Sequence, residues 1–208
     1  MRFLSRRDFA RLAAGGIGKV MLAALLVTVL AACGQQQSFR NIDITGGGDF
    51  GKDFALTDHT GKVRTLADFK GKAVVLFFGY THCPDVCPTT MLEWKAVMDQ
   101  LGEDADRVQV MLVTVDPERD TQSLLAQYVP AFDPRFLGMR PENQAALQKV
   151  ARDFKVYYAK VPGTAPGNYT MDHSAGSYVF DPEGRLRLFI RHGQGTEPIV
   201  HDLKQLLS

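Results

Sequence analysis

The unbroken apolar run Ala73-Val74-Val75-Leu76-Phe77-Phe78 constrains this chain more than any other stretch. Such a run reads as a buried strand, and the elements on its C-terminal side alternate in type. After strand Ala73 to Gly79 the pattern predicts a helix near Thr89 to Gly102, a strand from Val108 to Val115 and a helix near Thr121 to Val129. A strand from Phe136 to Met139 and a helix near Glu142 to Phe154 follow. Strand and helix in turn imply an α/β core, parallel, with helices on both faces. The last third differs: Val156 to Val161, Ala175 to Phe180 and Leu186 to Arg191 read as strands. Asp181-Pro182-Glu183-Gly184 makes the turn of a final antiparallel hairpin, and a helix begins at about Glu197. Ahead of the run, Phe54, Leu56, Val63 and Thr65 flank Asp58-His59-Thr60-Gly61, the alternation and turn chemistry of an N-terminal β-hairpin.

Just beyond the run stands Cys83-Pro84-Asp85-Val86-Cys87-Pro88, which places two thiols where strand gives way to helix. A helix N-terminus carries unpaired N–H groups and partial positive charge, conditions that favour thiolate, the form that attacks and that binds metal. Residues i and i+4 of a helix share a face at roughly 6 Å, close enough for a disulfide or for joint ligation of one ion. The pair therefore suits a redox couple, a metal clamp, or both. A purely structural disulfide is disfavoured, because it would close a very short loop and constrain little chain entropy. A structural zinc site needs four ligands, and the chain has no second cysteine pair.

Residues 1–33 read as a targeting segment: a basic start with Arg2, Arg6, Arg7 and Arg11, the apolar stretch Val20 to Ala32, then small residues. Leu30-Ala31-Ala32-Cys33 resembles a bacterial lipobox, in which Cys33 would be lipidated and become the new N-terminus. Ser5-Arg6-Arg7-Asp8-Phe9 resembles, less specifically, a twin-arginine export signal. An uncleaved anchor is the alternative, but the 13 residues of the stretch fall short of the roughly 20 that a span requires. Both readings place the domain outside the cytoplasm, at the periplasmic face of a bacterial membrane. Residues 34–49, with Gln35-Gln36-Gln37 and Gly46-Gly47-Gly48, read as a flexible tether, and residues 50–208 as the folded domain. The leader holds five of the 24 Lys/Arg and one of the 23 Asp/Glu, so the remainder carries 19 basic against 22 acidic residues. That balance, with no basic patch or aromatic-basic interleaving, excludes nucleic acid as a partner.

A mixed sheet that ends in a hairpin and helix, with a cysteine pair at its first buried strand-to-helix turn, is similar to the thioredoxin fold. Within it, Gly79-Tyr80-Thr81-His82-Cys83-Pro84-Asp85-Val86-Cys87-Pro88, Val115-Asp116-Pro117-Glu118-Arg119-Asp120-Thr121 and Asp172-His173-Ser174 closely resemble the Sco/SenC family, from about Asp49 to the C-terminus. The resemblance implies a copper metallochaperone that binds one copper ion through Cys83, Cys87 and His173. Its recipient would be the CuA centre of cytochrome c oxidase subunit II, and another periplasmic protein would donate the copper. The donor chemistry agrees: two thiolates and an imidazole are soft enough for copper, and three ligands leave a position open for transfer. His173 is expected in the loop before the strand that ends at Phe180, near the strand ends where open α/β sheets gather ligands.

Around these residues, His82 is read as facing away or tuning the thiols and Met171 as filling a gap, although either is chemically able to ligate. Asp116-Pro117-Glu118-Arg119-Asp120 is read as capping the following helix and rimming the site, with Asp120 as the cap; Asp172 is read as a carboxylate orienting the imidazole, and His59, His192 and His201 as ordinary surface positions. The rival function is a thiol-disulfide oxidoreductase using Cys83 and Cys87; against it, the cysteines have three residues between them, where oxidoreductases of this fold use two. Met171 to Tyr178 also lacks the proline those enzymes place there. Peroxiredoxin is disfavoured because Tyr80 and Leu76 stand where that family uses Thr and Pro. A copper or redox sensor remains a further reading.

Overall fold

Strand β4 (Ala73–Gly79) is buried at every position because both of its faces are covered. Ala73, Val75 and Phe77 point into one apolar cluster, while Val74, Leu76 and Phe78 point into the other. The computed structural model describes residues 38–208 apart from Asp49 and Pro166. The expected leader, its lipobox and Cys33 lie outside the described residues. In chain order β4 is preceded by β1 (Ile42–Asp43), β2 (Ala55–Asp58) and β3 (Val63–Thr65). It is followed by α1 (Val86–Leu101), β5 (Val108–Thr114), α2 (Gln122–Tyr128), β6 (Leu137–Arg140) and α3 (Gln144–Asp153). The chain then forms β7 (Tyr158–Pro162), β8 (Tyr169–His173), β9 (Gly176–Phe180), β10 (Leu186–Arg191) and α4 (Thr196–Leu207).

Eight strands make one mixed sheet in the order β1-β10-β9-β4-β5-β6-β2-β3, with β4, β5 and β6 parallel and the other neighbours antiparallel. Helices α1 and α4 cover one face with Met91, Trp94, Val97, Met98, Ile199 and Leu203. The indole N–H of Trp94 donates to Ser177 Oγ at 3.1 Å, so the largest buried side chain on that face leaves no polar atom unpaired. Helix α3 covers the other face through Leu147, Val150 and Ala151, beside Phe154, whose ring meets Phe78, Tyr178 and Phe180 at centroid separations of 5.4 to 6.1 Å. The expected α/β sheet, its covering helices and the N-terminal hairpin β2–β3 are all present. Among the described residues no helix is long and apolar enough to cross a membrane.

Three expectations change. Residues 40–44, read as part of a tether, are docked: the N–H groups of Arg40 and Asn41 donate to Asp202 at 2.9 and 2.8 Å, and β1 pairs with β10. Asp202 is completely buried and needs these donors. The first strand of the last third is Tyr158–Pro162, and it pairs with an unexpected strand, Tyr169–His173, in a separate two-stranded sheet. His59 is half-buried, because its Nδ1 accepts the Gly138 N–H at 3.0 Å and so ties the hairpin to β6. Two other histidines are exposed or half-buried with partners: His192 Nδ1 meets Thr90 Oγ1 at 2.9 Å and His201 Nδ1 meets Asp202 at 2.9 Å.

Candidate metal centre

Helix α1 starts at Val86, before the expected Thr89, because Pro88 fits a first turn, where a missing N–H breaks no helical hydrogen bond. Cys87 is thereby in the first turn and Cys83 in the loop ahead of it. Asp85 precedes the helix without a side-chain cap bond. Instead the Cys87 N–H donates to Cys83 Sγ at 3.4 Å, so a sulfur takes one of the orphan donors of the helix start. Both cysteines are free, Cys87 almost fully buried and Cys83 partly exposed.

His173 approaches from the separate hairpin. It is the last residue of β8, where the sequence placed it in a loop, and it stands opposite Tyr158 of β7. One ligand atom from each of Cys83, Cys87 and His173 lies within 4.8 Å of the others. His173 Nε2 is 3.5 Å from Cys87 Sγ, and Nδ1 is 3.1 Å from the Ser174 carbonyl oxygen. A carbonyl only accepts, so Nδ1 carries the proton and Nε2 offers its lone pair to the sulfurs. The orienting group is thus the Ser174 carbonyl; the exposed Asp172 carboxylate, expected in that role, contributes charge alone. Burial lowers the His173 pKa, with the Ser174 carbonyl and Asp172 acting the other way, which favours the neutral imidazole that ligation requires. Burial likewise pushes the Cys87 thiol well up, against a lowering backbone hydrogen bond from Tyr80. At Cys87 burial thus works against the thiolate that the helix start was expected to favour, and a bound cation would have to displace the proton.

Asp120 does not cap α2. Thr121 does, its Oγ1 accepting from the Leu124 N–H at 3.2 Å. The completely buried Asp120 carboxylate accepts Thr81 Oγ1 at 2.6 Å, Thr81 N at 3.1 Å and Thr114 Oγ1 at 2.6 Å, and so fixes the loop leading to Cys83 against the end of β5. His82 leans on the same cluster, 3.0 Å from Thr81 Oγ1 and half-exposed, away from the three ligand atoms. Met171 is buried beside the site, and its backbone N–H donates to Tyr80 Oη at 3.2 Å. A cleft of about 280 Å³, lined by Tyr80, Cys83, Pro84, Met171, Asp172 and His173, opens the site to solvent on the Cys83 side.

Gly79 supplies the room that the Cys87 sulfur occupies. A Cβ there would lie 2.7 Å from Cys87 Sγ and 3.0 Å from Leu112 Cδ1. Gly79→Ala is expected to cost about 1–3 kcal/mol by overpacking and to weaken metal binding by displacing the buried sulfur. Urea unfolding and copper titration of the same preparation check both; wild-type values in both would refute the close approach.

The fold and site define a thioredoxin-like α/β protein that carries a soft, three-donor Cys-Cys-His cluster at the C-terminal end of its central strand. The family profile described as SCO1/SenC matches residues 42–208, and the chain belongs to that family. The mitochondrial SCO2 homologue of Bos taurus is 39% identical over 158 residues, 75% of this chain and 59% of that protein. The chain thus spans under two thirds of the length of that relative. The copper-bound structure of Bradyrhizobium japonicum ScoI is 42% identical, covers 76% of this chain and 99% of its own, and has a TM-score of 0.69. Apo Sco1 of Thermus thermophilus is 39% identical over 84% of this chain and 100% of its own, with a TM-score of 0.71. At the level of fold alone, BsSco is 21% identical over 84% of this chain and 99% of its own, with a TM-score of 0.59; it is described as a member of the Sco family of cytochrome c oxidase assembly proteins.

Proposed function

We propose that this chain binds one copper ion as cargo through Cys83, Cys87 and His173 and delivers it to the CuA site of cytochrome c oxidase subunit II. The observation that carries the reading is the convergence of two sulfurs and one imidazole nitrogen within 4.8 Å, in a chain 42% identical to a copper-bound protein. The donor set fits the cargo: thiolates hold Cu(I), and the neutral imidazole completes a three-ligand site with a position left open. Binding at Cys87 releases its proton to solvent, and the tautomer fixed by Ser174 presents Nε2 without any such loss. Transfer starts at Cys83, the ligand facing the open cleft, where a recipient's thiol or imidazole can enter before Cys87 lets go. The protein works at the periplasmic face of a bacterial membrane, held by a lipid on Cys33, and receives copper from another extracytoplasmic protein.

A thiol-disulfide oxidoreductase is the second reading, favoured by the contact of the Cys87 N–H with the Cys83 sulfur in a chain whose two described cysteines are both free. The three residues between the cysteines argue against it, since oxidoreductases of this fold use two. The two are separated by titrating the reduced full chain with Cu(I) while counting free thiols, wild type beside His173→Ala. One copper per chain that masks both thiols, weakened at least tenfold in the variant, is the expected result. Binding that ignores His173, with thiols cycling readily to a disulfide, would replace the chaperone with the reductase.

A further inference from the structure

We propose that Arg119 and Asp116 form a latch whose task is to hold the hairpin β7–β8, and with it His173, against the cysteine helix. The inference rests on the copper reading for its consequence, but the latch itself is a property of the metal-free fold. Its starting point is topological. The hairpin has no ladder hydrogen bonds to the eight-stranded sheet and is joined to it at this end only by the link Ser174-Ala175 into β9, so side-chain contacts set how β8 lies against the site. A donor held by a free two-stranded sheet would not stay within reach of Cys87, since isolated hairpins are marginal in water.

The contacts form a closed ring. Arg119 Nε donates to Asp116 Oδ2, Arg119 Nη1 donates to the Tyr169 carbonyl oxygen at 2.9 Å, and Tyr169 Oη donates to Asp116 Oδ1 at 2.9 Å. The guanidinium also lies 3.6 Å from the Tyr169 ring centroid and 5.7 Å from that of Tyr80. Asp116 is almost fully buried, and its N–H is taken by Thr114 Oγ1 at 3.0 Å, so the carboxylate is fixed to the end of β5 before it grips the hairpin. Tyr169 opens β8 and His173 closes it. Between them Met171 is bonded to Tyr80, whose ring meets the His173 ring edge-on at 5.9 Å. Strand β8 is thus held at its start by Asp116 and Arg119 and at its middle by Tyr80, and the imidazole projects from the end so defined. Arg119 Nη2 has no hydrogen-bond partner among the described residues and is buried, a cost offset by the two aromatic faces. Lysine cannot reproduce the arrangement, because only a planar fork reaches the carboxylate and the carbonyl while stacking on the ring.

Arg119 and Asp116 are positioning residues: neither belongs to the three-ligand cluster. The test compares wild type, Arg119→Ala, Arg119→Lys and Tyr169→Phe as full chains. In the metal-free state, amide exchange at Tyr169 to His173 is expected to speed up at least tenfold in Arg119→Ala while β4 amides are unchanged; Arg119→Lys does not restore it. Cu(I) affinity falls at least tenfold in Arg119→Ala, and Arg119→Ala combined with His173→Ala binds no more weakly than His173→Ala alone. Unchanged hairpin exchange, or losses that simply add in the double variant, would overturn the latch. If Arg119→Ala exposes β4 amides too, Tyr169→Phe decides, since it removes only the hydroxyl bond: faster hairpin exchange sustains the latch and unchanged exchange refutes it. If the wild type takes up no copper, the proposed function fails, and the metal-free exchange still judges the latch.

Discussion

Cys87→Ala is expected to lower Cu(I) affinity at least a thousandfold, about 4 kcal/mol, while leaving the fold close to intact. The sulfur sits almost fully buried under Gly79, with His173 Nε2 3.5 Å away and the Cys83 sulfur accepting its N–H. Removing it takes away the ligand that anchors the site from inside, and no other described cysteine can replace it. Alanine is the better probe than serine, which would bury a hydroxyl in a pocket shaped for sulfur and add a desolvation cost of its own. Cys83→Ala should lose a similar soft donor but leave the buried Cys87–His173 pair in place, so its residual binding should be the stronger of the two. Competition titration against a Cu(I) chelator, with unfolding midpoints measured alongside, gives both quantities. Wild-type affinity in Cys87→Ala would remove the Cys-Cys-His site from consideration.

His173, 86 positions beyond Cys87, entered only through the family resemblance, whereas the Cys83 and Cys87 pair was readable because it is local, and β4 because a strand covered on both faces must be apolar throughout. Strand β8 was not: of Tyr169-Thr170-Met171-Asp172-His173 only Met171 is buried, so the hairpin shows none of the alternation that announces a strand. It reads as the loop in which His173 was placed. Asp120 was misread for a related reason. Its position just before a helix suggests a cap, but its partners Thr81 and Thr114 come from elsewhere in the chain, and the adjacent Thr121 takes the cap. Residues 40–44 are rich in polar groups and look like linker; a single buried carboxylate, Asp202, binds Arg40 and Asn41 from 162 and 161 positions away, and β1 pairs with β10 beside it. The misses at Asp120 and at residues 40–44 both concern a buried carboxylate whose partners include residues far away in the chain, which composition and period do not encode.

Asp58 is the same kind of group, and its loss is expected to be the largest stability effect outside the apolar core. The carboxylate is completely buried at the hairpin β2–β3. It accepts Thr60 N at 2.8 Å, Thr60 Oγ1 at 2.6 Å, Lys62 N at 3.1 Å and Arg64 Nε at 2.7 Å, so one side chain closes the turn and pairs with the returning strand. Burial alone would raise its pKa, but the bonds from Thr60, Arg64 and Lys62 outweigh that and hold it at about 2. Asp58→Ala leaves those donors unmatched and is expected to cost about 3–5 kcal/mol, read as a lower urea midpoint. The pH dependence has a definite sign. A carboxyl with a depressed folded-state pKa stabilises fully above its unfolded value, near 4, and loses that contribution as pH falls toward 2. Wild type should therefore lose stability across that window, helped by Asp133 and Asp181, whose arginine partners also hold them low. Asp58→Ala should lose less over the same interval, by about 2 kcal/mol, because the group that titrates is gone. Parallel acid-unfolding curves for the two proteins would show instead that Asp58 titrates alike in folded and unfolded chains, and that the hairpin is held by its strands alone.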